Sequence, residues 1–281
     1  MIAALLMIAL AQADAPVPQV EAPTLPVAAG EATGCARWQA EGLGEGPVAL
    51  GFIEADMATG RRVCPRSEVG LGGRLAAIID TPNFYGNLVG DGLVFGSFAI
   101  NAKTEVFGTL EAVEYNYVQT SLKGTTIALG ALTLGATRHL YGTDRFLGAI
   151  SARVMLPTSF VNPSARAIGV ELGHATTWRP AKMLEVHSYL GLDFNAGVGD
   201  ALPLPRYGGV LTAGLQFSPV SFAALVVDLT GRLSQLKSYF APTVALRFRV
   251  MRVGIELAAT LPLAGNDRHD FIAGGRFNFR F

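Results

Sequence analysis

From Glu68 to the C-terminus, apolar and polar residues alternate in segments of about ten residues, with turn-forming residues between them. Successive side chains of a β-strand point to opposite faces, so each segment would have one apolar and one polar face. A chain that repeats this pattern from one end to the other is typical of a transmembrane β-barrel, whose strands face lipid outside and the lumen inside. The alternation therefore predicts an all-β fold, a transmembrane antiparallel β-barrel.

Twelve such segments can be distinguished, and single-chain bacterial barrels have an even number of strands. We therefore predict a barrel of about twelve strands, preceded by a short N-terminal segment that lies in the periplasm or plugs the lumen. The alternation is weakest in the third and fourth segments, where either face could be the apolar one. The predicted strands are Val69–Ile79, Leu93–Asn101, Glu105–Tyr117, Thr126–Thr137, Phe146–Leu156, Ile168–Trp178, Leu184–Ala196, Val210–Phe217, Phe222–Leu233, Phe240–Val250, Val253–Leu263 and Phe271–Phe281.

The connections between these segments alternate in length. Outer-membrane barrels have short periplasmic turns and longer outer loops, so the alternation predicts that both chain termini are periplasmic. Two connections fit less well: Arg138–Arg145 is long for a periplasmic turn, and Ser234–Tyr239 is short for an outer loop. The long connections are Thr81–Gly92, Pro157–Arg166 and Gly197–Gly209, and the short ones are Ala102–Thr104, Pro180–Met183 and Ser218–Ser221.

The polar faces of the segments predict a charged lumen. Basic residues prevail on the last four strands and acidic residues on the sixth and seventh. Strands 6 and 7 lie opposite strands 12 and 1 in a twelve-strand barrel, so a basic wall would face an acidic one. Two interpretations are open: a transverse field that sorts small polar solutes, or ion pairs that fill the lumen. The predicted lumen-lining residues are Arg232, Arg247, Arg249, Arg276, Arg280, Glu171, Glu185, His187, Asp193, Asp228 and Glu256.

The C-terminal sequence, from Gly274 to Phe281, resembles the terminal strand of Gram-negative outer-membrane proteins. Those proteins end in an amphipathic strand that closes on Phe and is recognised by the barrel-insertion machinery. The resemblance implies that this chain lies in the bacterial outer membrane, in contact with lipid, and that Phe277, Phe279 and Phe281 form its assembly signal. It covers the last strand alone and identifies no particular barrel family.

The first 66 residues differ in composition from the rest of the chain. Residues 1–11 are interpreted as a truncated signal peptide, because a short apolar stretch precedes a small-residue cleavage site but lacks a basic start. Residues 12–34 are Pro-rich and predict a flexible tether. Residues 35–66 form a small unit bounded by Cys35 and Cys64, with a hairpin of Val48–Glu54 and Arg61–Cys64, and residues 67–281 form the barrel. A lone cysteine pair in an exported chain predicts a disulfide, with two buried free thiols as the alternative.

Several classes of function are disfavoured. The net charge of zero gives no support to a nucleic-acid partner. No metal or cofactor is expected, because no histidine or further cysteine lies near Cys35 or Cys64 and no phosphate-binding motif is present. No catalytic residue is assigned, because His187 and Ser188 are adjacent and would point to opposite faces of a strand. A soluble β-sandwich or lipocalin would need its apolar face inside.

Two functions from different classes remain. The first is a narrow, porin-like channel for small polar solutes, gated or plugged by residues 35–66. The second is a structural anchor in the outer membrane for a multi-protein machine of secretion or surface motility, with periplasmic protein partners bound by the N-terminal segment. A barrel lipid hydrolase is the least favoured reading, so we expect no enzyme.

Overall fold

The computed structural model describes Cys35 and residues 62–80, 85–118, 124–156, 158, 167–197, 206–234, 238–265 and 270–281. The predicted signal peptide (1–11), the tether (12–34) and the hairpin strand Val48–Glu54 lie outside these residues. Residues 62–64, which belong to the other predicted hairpin strand, are described and are not in a strand. No helix of the described part has the length and hydropathy needed to cross a membrane.

Fourteen β-strands are present among the described residues, and they form one antiparallel sheet. The strands are β1 (Glu68–Asp80), β2 (Tyr85–Asn101), β3 (Thr104–Val118), β4 (Gly124–Ala128), β5 (Leu132–Gly142), β6 (Phe146–Leu156), β7 (Ala167–Ala181), β8 (Leu184–Gly197), β9 (Arg206–Val220), β10 (Ala223–Ser234), β11 (Ser238–Val250), β12 (Val253–Thr260), β13 (Ala264–Gly265) and β14 (Phe271–Arg280).

The sheet closes on itself because β1, the first strand, pairs with β14, the last strand, as well as with β2. Strands β4 and β5 both pair with β3 and are two parts of one barrel strand, and β12 and β13 both pair with β11 in the same way. The described residues therefore form a closed antiparallel barrel of twelve strands. Each predicted segment corresponds to one of them, so the predicted fold is confirmed.

Some strands are longer than predicted. Strand β2 begins at Tyr85, because residues Tyr85 to Gly92 pair with β1; the prediction of a loop over Thr81–Gly92 was wrong. Strand β5 continues to Gly142, so residues 143–145 alone connect it to β6. Hydropathy reports the part of a strand that faces lipid, whereas the backbone ladder extends beyond it.

A bulge explains why the third and fourth segments were ambiguous. The pairing of β2 with β3 shifts between Gly92 and Leu93, which face Val113 and Glu111 respectively. An extra residue in one strand moves every later side chain to the other face. Opposite the bulge, the fourth barrel strand is interrupted between β4 and β5, where the Glu111 amide donates to the carbonyl of Ala131.

The two faces of the wall have opposite character. On β8, Leu190 and Leu192 are exposed on the outside, with Leu192 69% exposed, whereas Glu185 and Asp193 are buried on the inside. Phe277, Phe279 and Phe281 are also exposed on the outer face. Apolar side chains outside and charges inside are the reverse of a soluble barrel and match the lipid and lumen faces of a membrane barrel.

Candidate functional site

The candidate functional site is the lumen. The structure places all eleven predicted lumen-lining side chains on the inner face of their strands. Seven of them are buried: Glu171, Glu185, His187, Asp193, Asp228, Glu256 and Arg276. The other four, Arg232, Arg247, Arg249 and Arg280, are partly exposed and face the same interior space.

On the acidic side of the lumen, two arginines that the sequence analysis missed neutralise carboxylates. Arg153 on β6 donates from Nη2 to Oε2 of Glu171 at 2.6 Å. Arg179 on β7 donates from Nη2 to Oε1 of Glu185 at 3.0 Å. The hydroxyl of Tyr189 also donates to Glu171. Both arginines occupy inward positions of segments whose alternation is regular, so the same pattern could have identified them.

The remaining acidic groups of this sector are also paired. Nε2 of His187 lies 2.5 Å from Oδ1 of Asp228 on β10. Arg232 donates from Nη2 to Oδ2 of Asp193 at 2.9 Å. Within this sector the charges therefore form pairs between neighbouring or nearby strands. Of the two interpretations of the lumen, local ion pairing describes this sector.

On the basic side, guanidinium groups outnumber carboxylates. Arg247 donates from Nε to Oε2 of Glu256 at 2.5 Å, and Arg276 donates to the other oxygen of the same carboxylate. Arg247 also donates from Nη1 to Oε1 of Gln216 at 2.6 Å. One carboxylate is thus shared by two guanidinium groups.

A segment that is not part of the wall occupies the lumen at the end where the short turns lie. Arg62 donates from Nη1 to Oε2 of Glu105 at 2.9 Å and to Oγ of Ser97 at 3.0 Å, and from Nη2 to Glu68. The pKa of Arg62 is raised: burial acts to lower it, and the nearby carboxylates of Glu105 and Glu68 outweigh burial. The Arg66 amide donates to the same Glu105 oxygen at 2.7 Å. These bonds tie residues 62–66 to the barrel wall.

The cysteines hold the same segment against the other side of the lumen. Cys35 and Cys64 form a disulfide, as predicted. Both cysteines and Val63 are buried against inward-facing apolar side chains of β6, β7 and β8. This contact is formed by Cys35, Val63, Cys64, Leu147, Ala149, Ala175 and Tyr189.

Between this segment and strands β9 to β14 lies an open cavity, which we call the basic vestibule. Its volume is about 640 Å³, counting the part that is open to solvent. It lies at the short-turn end, because its lining includes Ser221 and Phe222 of the turn between β9 and β10. The charged residues that line it are Arg66, Arg247, Arg249, Arg276, Arg280, Glu68 and Glu256.

The residues considered for hydrolysis do not come together. His187 faces the lumen, whereas the hydroxyl of Ser188 lies 2.7 Å from that of Thr176 on the outer face. His174, also on the outer face, contacts the hydroxyl of Tyr141 at 3.0 Å. Within the described part of the chain, no group of three or more potential ligands is placed to hold a metal ion.

Solved structures of outer-membrane proteins resemble this barrel. An outer-membrane channel from Pseudomonas putida F1 aligns over 77% of this chain and 96% of its own, with a TM-score of 0.61 and 12% sequence identity. The KdgM porin aligns over 76% of this chain and 99% of its own, with a TM-score of 0.52 and 6% identity. The NanC porin aligns over 76% and 98%, with a TM-score of 0.51 and 9% identity.

No protein-family model matches the sequence, and no curated protein matches it. At these sequence identities the structural likeness describes the fold. The chain therefore has the fold of an outer-membrane β-barrel, in which twelve strands surround a charged lumen.

Proposed function

We propose that this protein is a narrow, porin-like channel of the bacterial outer membrane that conducts small polar solutes through its charged lumen. The observation that carries the proposal is that part of the lumen is filled by residues that do not belong to the barrel wall. They are residues 62–66 and the Cys35–Cys64 disulfide, which precede the first strand. Residues 62–66 lie outside the strand ladder, so their displacement would leave the hydrogen bonds of the wall intact.

In this proposal the described conformation is the closed one, and Arg62 holds it closed. Its guanidinium pairs with carboxylates of two different strands, Glu68 on β1 and Glu105 on β3. Removing one partner of a buried ion pair typically costs about 3–5 kcal/mol, because the other charges stay buried. The Arg62→Gln variant should therefore release the segment and open the channel.

The test is the conductance of full-length protein in planar bilayers, wild type against Arg62→Gln. We expect the variant to spend at least about tenfold more time open, as a loss of 1.4 kcal/mol in the closed state would give. Arg145→Gln is the control, because Arg145 is exposed in the turn between β5 and β6. Unboiled gels should show both variants as folded barrels. Folded Arg62→Gln protein that opens no more often than the wild type would overturn the role given to Arg62.

One observation favours a second candidate, the structural anchor. The pairs Arg153–Glu171 and Arg179–Glu185 fill the lumen between β6 and β8 with wall side chains. An anchor would stay non-conducting in wild type, in Arg62→Gln and in the Cys35→Ser/Cys64→Ser double variant. Conductance in any of the three favours the channel.

The proposal also includes the location and the contacts of the chain. We infer that the protein lies in the outer membrane, contacts its lipids, is inserted by the barrel-insertion machinery and has no catalytic activity. The exposed aromatic stripe of Phe277, Phe279 and Phe281 supports this location, because aromatic residues favour membrane interfaces. Density-gradient separation of the two membranes of the producing bacterium tests it, and recovery with the inner membrane would contradict it.

A further inference from the structure

The basic vestibule carries an excess of positive charge. Among the described residues that line it, five are arginines and two are glutamates, so the positive side chains exceed the negative ones by 5 − 2 = 3. Elsewhere among the described lumen residues, carboxylates pair with guanidinium groups, as Glu171 with Arg153 and Asp193 with Arg232. The vestibule at the short-turn end of the barrel is therefore lined by more positive than negative side chains.

The two carboxylates of the vestibule are each shared by more than one guanidinium group, which is why positive charge exceeds negative charge there. Glu68 accepts from Arg62 at one oxygen and lies 2.7 Å from Arg66 and 3.9 Å from Arg280 at the other. Glu256 is shared in the same way by Arg247 and Arg276 on the neighbouring strands. Each carboxylate thus serves two or more guanidinium groups.

The low exposure of the vestibule arginines strengthens the effect of their charges on a solute. The side chains of Arg276, Arg66 and Arg280 are 6%, 11% and 17% exposed, so they are only weakly screened by water. Neutral groups that can donate hydrogen bonds, Gln216 and Ser218, line the same cavity. A concave site that combines guanidinium groups and neutral donors suits an oxyanion, whose several oxygens each accept hydrogen bonds.

We propose that the basic vestibule binds small oxyanions, through the carboxylate or phosphate group of a solute, and makes the open channel selective for anions. The selectivity rests on the proposed channel function, because it concerns the solute that this channel conducts. Arg249 is the residue to change first: it lines the vestibule and lies near the end of β11, next to the turn.

Selectivity is measured as the reversal potential in a KCl gradient. The Cys35→Ser/Cys64→Ser background is used beside the wild type, because it leaves every charge in place. We expect chloride to be favoured over potassium by about threefold or more, and Arg249→Gln to reduce that ratio at least about twofold. Arg145→Gln, the same change at an exposed turn, should leave the ratio unchanged. A preference for potassium, or a ratio that Arg249→Gln leaves unaltered, overturns the inference.

Binding is measured separately, without any need for conduction. Citrate and inorganic phosphate serve as the carboxylate and phosphate probes, and the readout is the temperature at which the folded barrel unfolds on gels. Either anion should raise that temperature at fixed ionic strength in wild type and in Arg145→Gln, and less in Arg249→Gln/Arg280→Gln. If none of the proteins conducts but the anions still raise the unfolding temperature of the wild type more than that of Arg249→Gln/Arg280→Gln, the channel is refuted and the oxyanion site is supported. Equal shifts in all three proteins would refute the site, whatever the conductance.

Discussion

Gly214 on β9 lies beside a pair of buried titratable side chains. A Cβ atom at this position would overlap Oδ1 of Asp228 and Nε2 of His187, and both groups are buried in the lumen. The absence of a side chain at residue 214 therefore makes room for the contact between β8 and β10 across β9. Glycine is required here by a close approach of neighbouring side chains, and no unusual backbone angle is involved.

We expect Gly214→Ala to destabilise the barrel by about 1–3 kcal/mol, because an added methyl group in a packed site forces its neighbours apart. The measurement is the midpoint of urea unfolding in detergent micelles or lipid vesicles. Gly72→Ala is the matched control: Gly72 also faces the lumen, and its Cβ would meet nothing closer than 3.4 Å. Equal midpoints for the two variants would show that the His187–Asp228 contact does not need this space.

The cost of a charge on the outer face should depend on where the residue lies along its strand. Leu192 lies in the middle of β8 and is exposed, whereas Met251 lies in the turn between β11 and β12. A charge on the lipid face costs about 2–4 kcal/mol at the centre of the bilayer and close to zero at its edge. Leu192→Arg should therefore greatly reduce the amount of folded, membrane-inserted protein, and Met251→Arg should leave it near the wild-type amount. Leu192→Arg protein that inserted at the wild-type amount would mean that Leu192 does not face lipid.

The terminal strand has a role in assembly that is separate from conduction. The amide of Phe281 lies 3.4 Å from the carbonyl of Ser67, at the seam where β14 meets β1. Deleting Phe281 should lower the yield of heat-modifiable barrel, because unpaired backbone and a missing interfacial aromatic both disfavour insertion. Molecules that do insert should conduct like the parent, since no lumen group is changed.

Phe271→Ser provides the comparison for that deletion. Phe271 is an exposed aromatic at the opposite end of the same strand. If Phe281 acts as a terminal signal, the Phe271 variant should insert better than the deletion. Equal yields would reduce the role of Phe281 to that of any lipid-facing aromatic.

For single strands, the sequence predicts which face a side chain lies on, because that depends on alternation. It predicts little about which side chains pair across strands. Alternation along β8 predicts that Glu185, His187 and Asp193 share one face, because every second residue of a strand points the same way. All three are buried, whereas Leu190 and Leu192 are exposed. Alternation failed along β3, where the bulge between Glu111 and Val113 reverses the faces. The partners of the lumen charges could not be predicted, because they depend on the register between strands, and no local pattern encodes that register.

The described strands close into a ring, and a disulfide cross-link lies inside it. The loop closed by the disulfide spans a sequence separation of 29 residues, and its ends pack inside the ring. Such a cross-link stabilises the packed segment by about 3–4 kcal/mol on a chain-entropy model. The barrel wall has its own hydrogen-bond ladder and does not depend on this bond.

The Cys35→Ser/Cys64→Ser double variant should therefore fold into a heat-modifiable barrel and conduct more than the wild type. Bilayer recordings and unboiled gels of the same preparation measure both properties. Denatured, unreduced wild type should show no free thiol. If loss of the cysteines abolished the barrel itself, the segment would be part of the fold and not a removable plug.

The burial of the disulfide also sets an order of events during biogenesis. Cys35 and Cys64 are 2% and 3% exposed within a ring whose wall has no gap between β1 and β14. A thiol-oxidising enzyme is itself a folded protein and cannot enter so narrow a space. The bond must consequently form before the segment packs inside the ring. A chain whose segment packed with both thiols reduced would keep them hidden from that enzyme until the segment left the lumen.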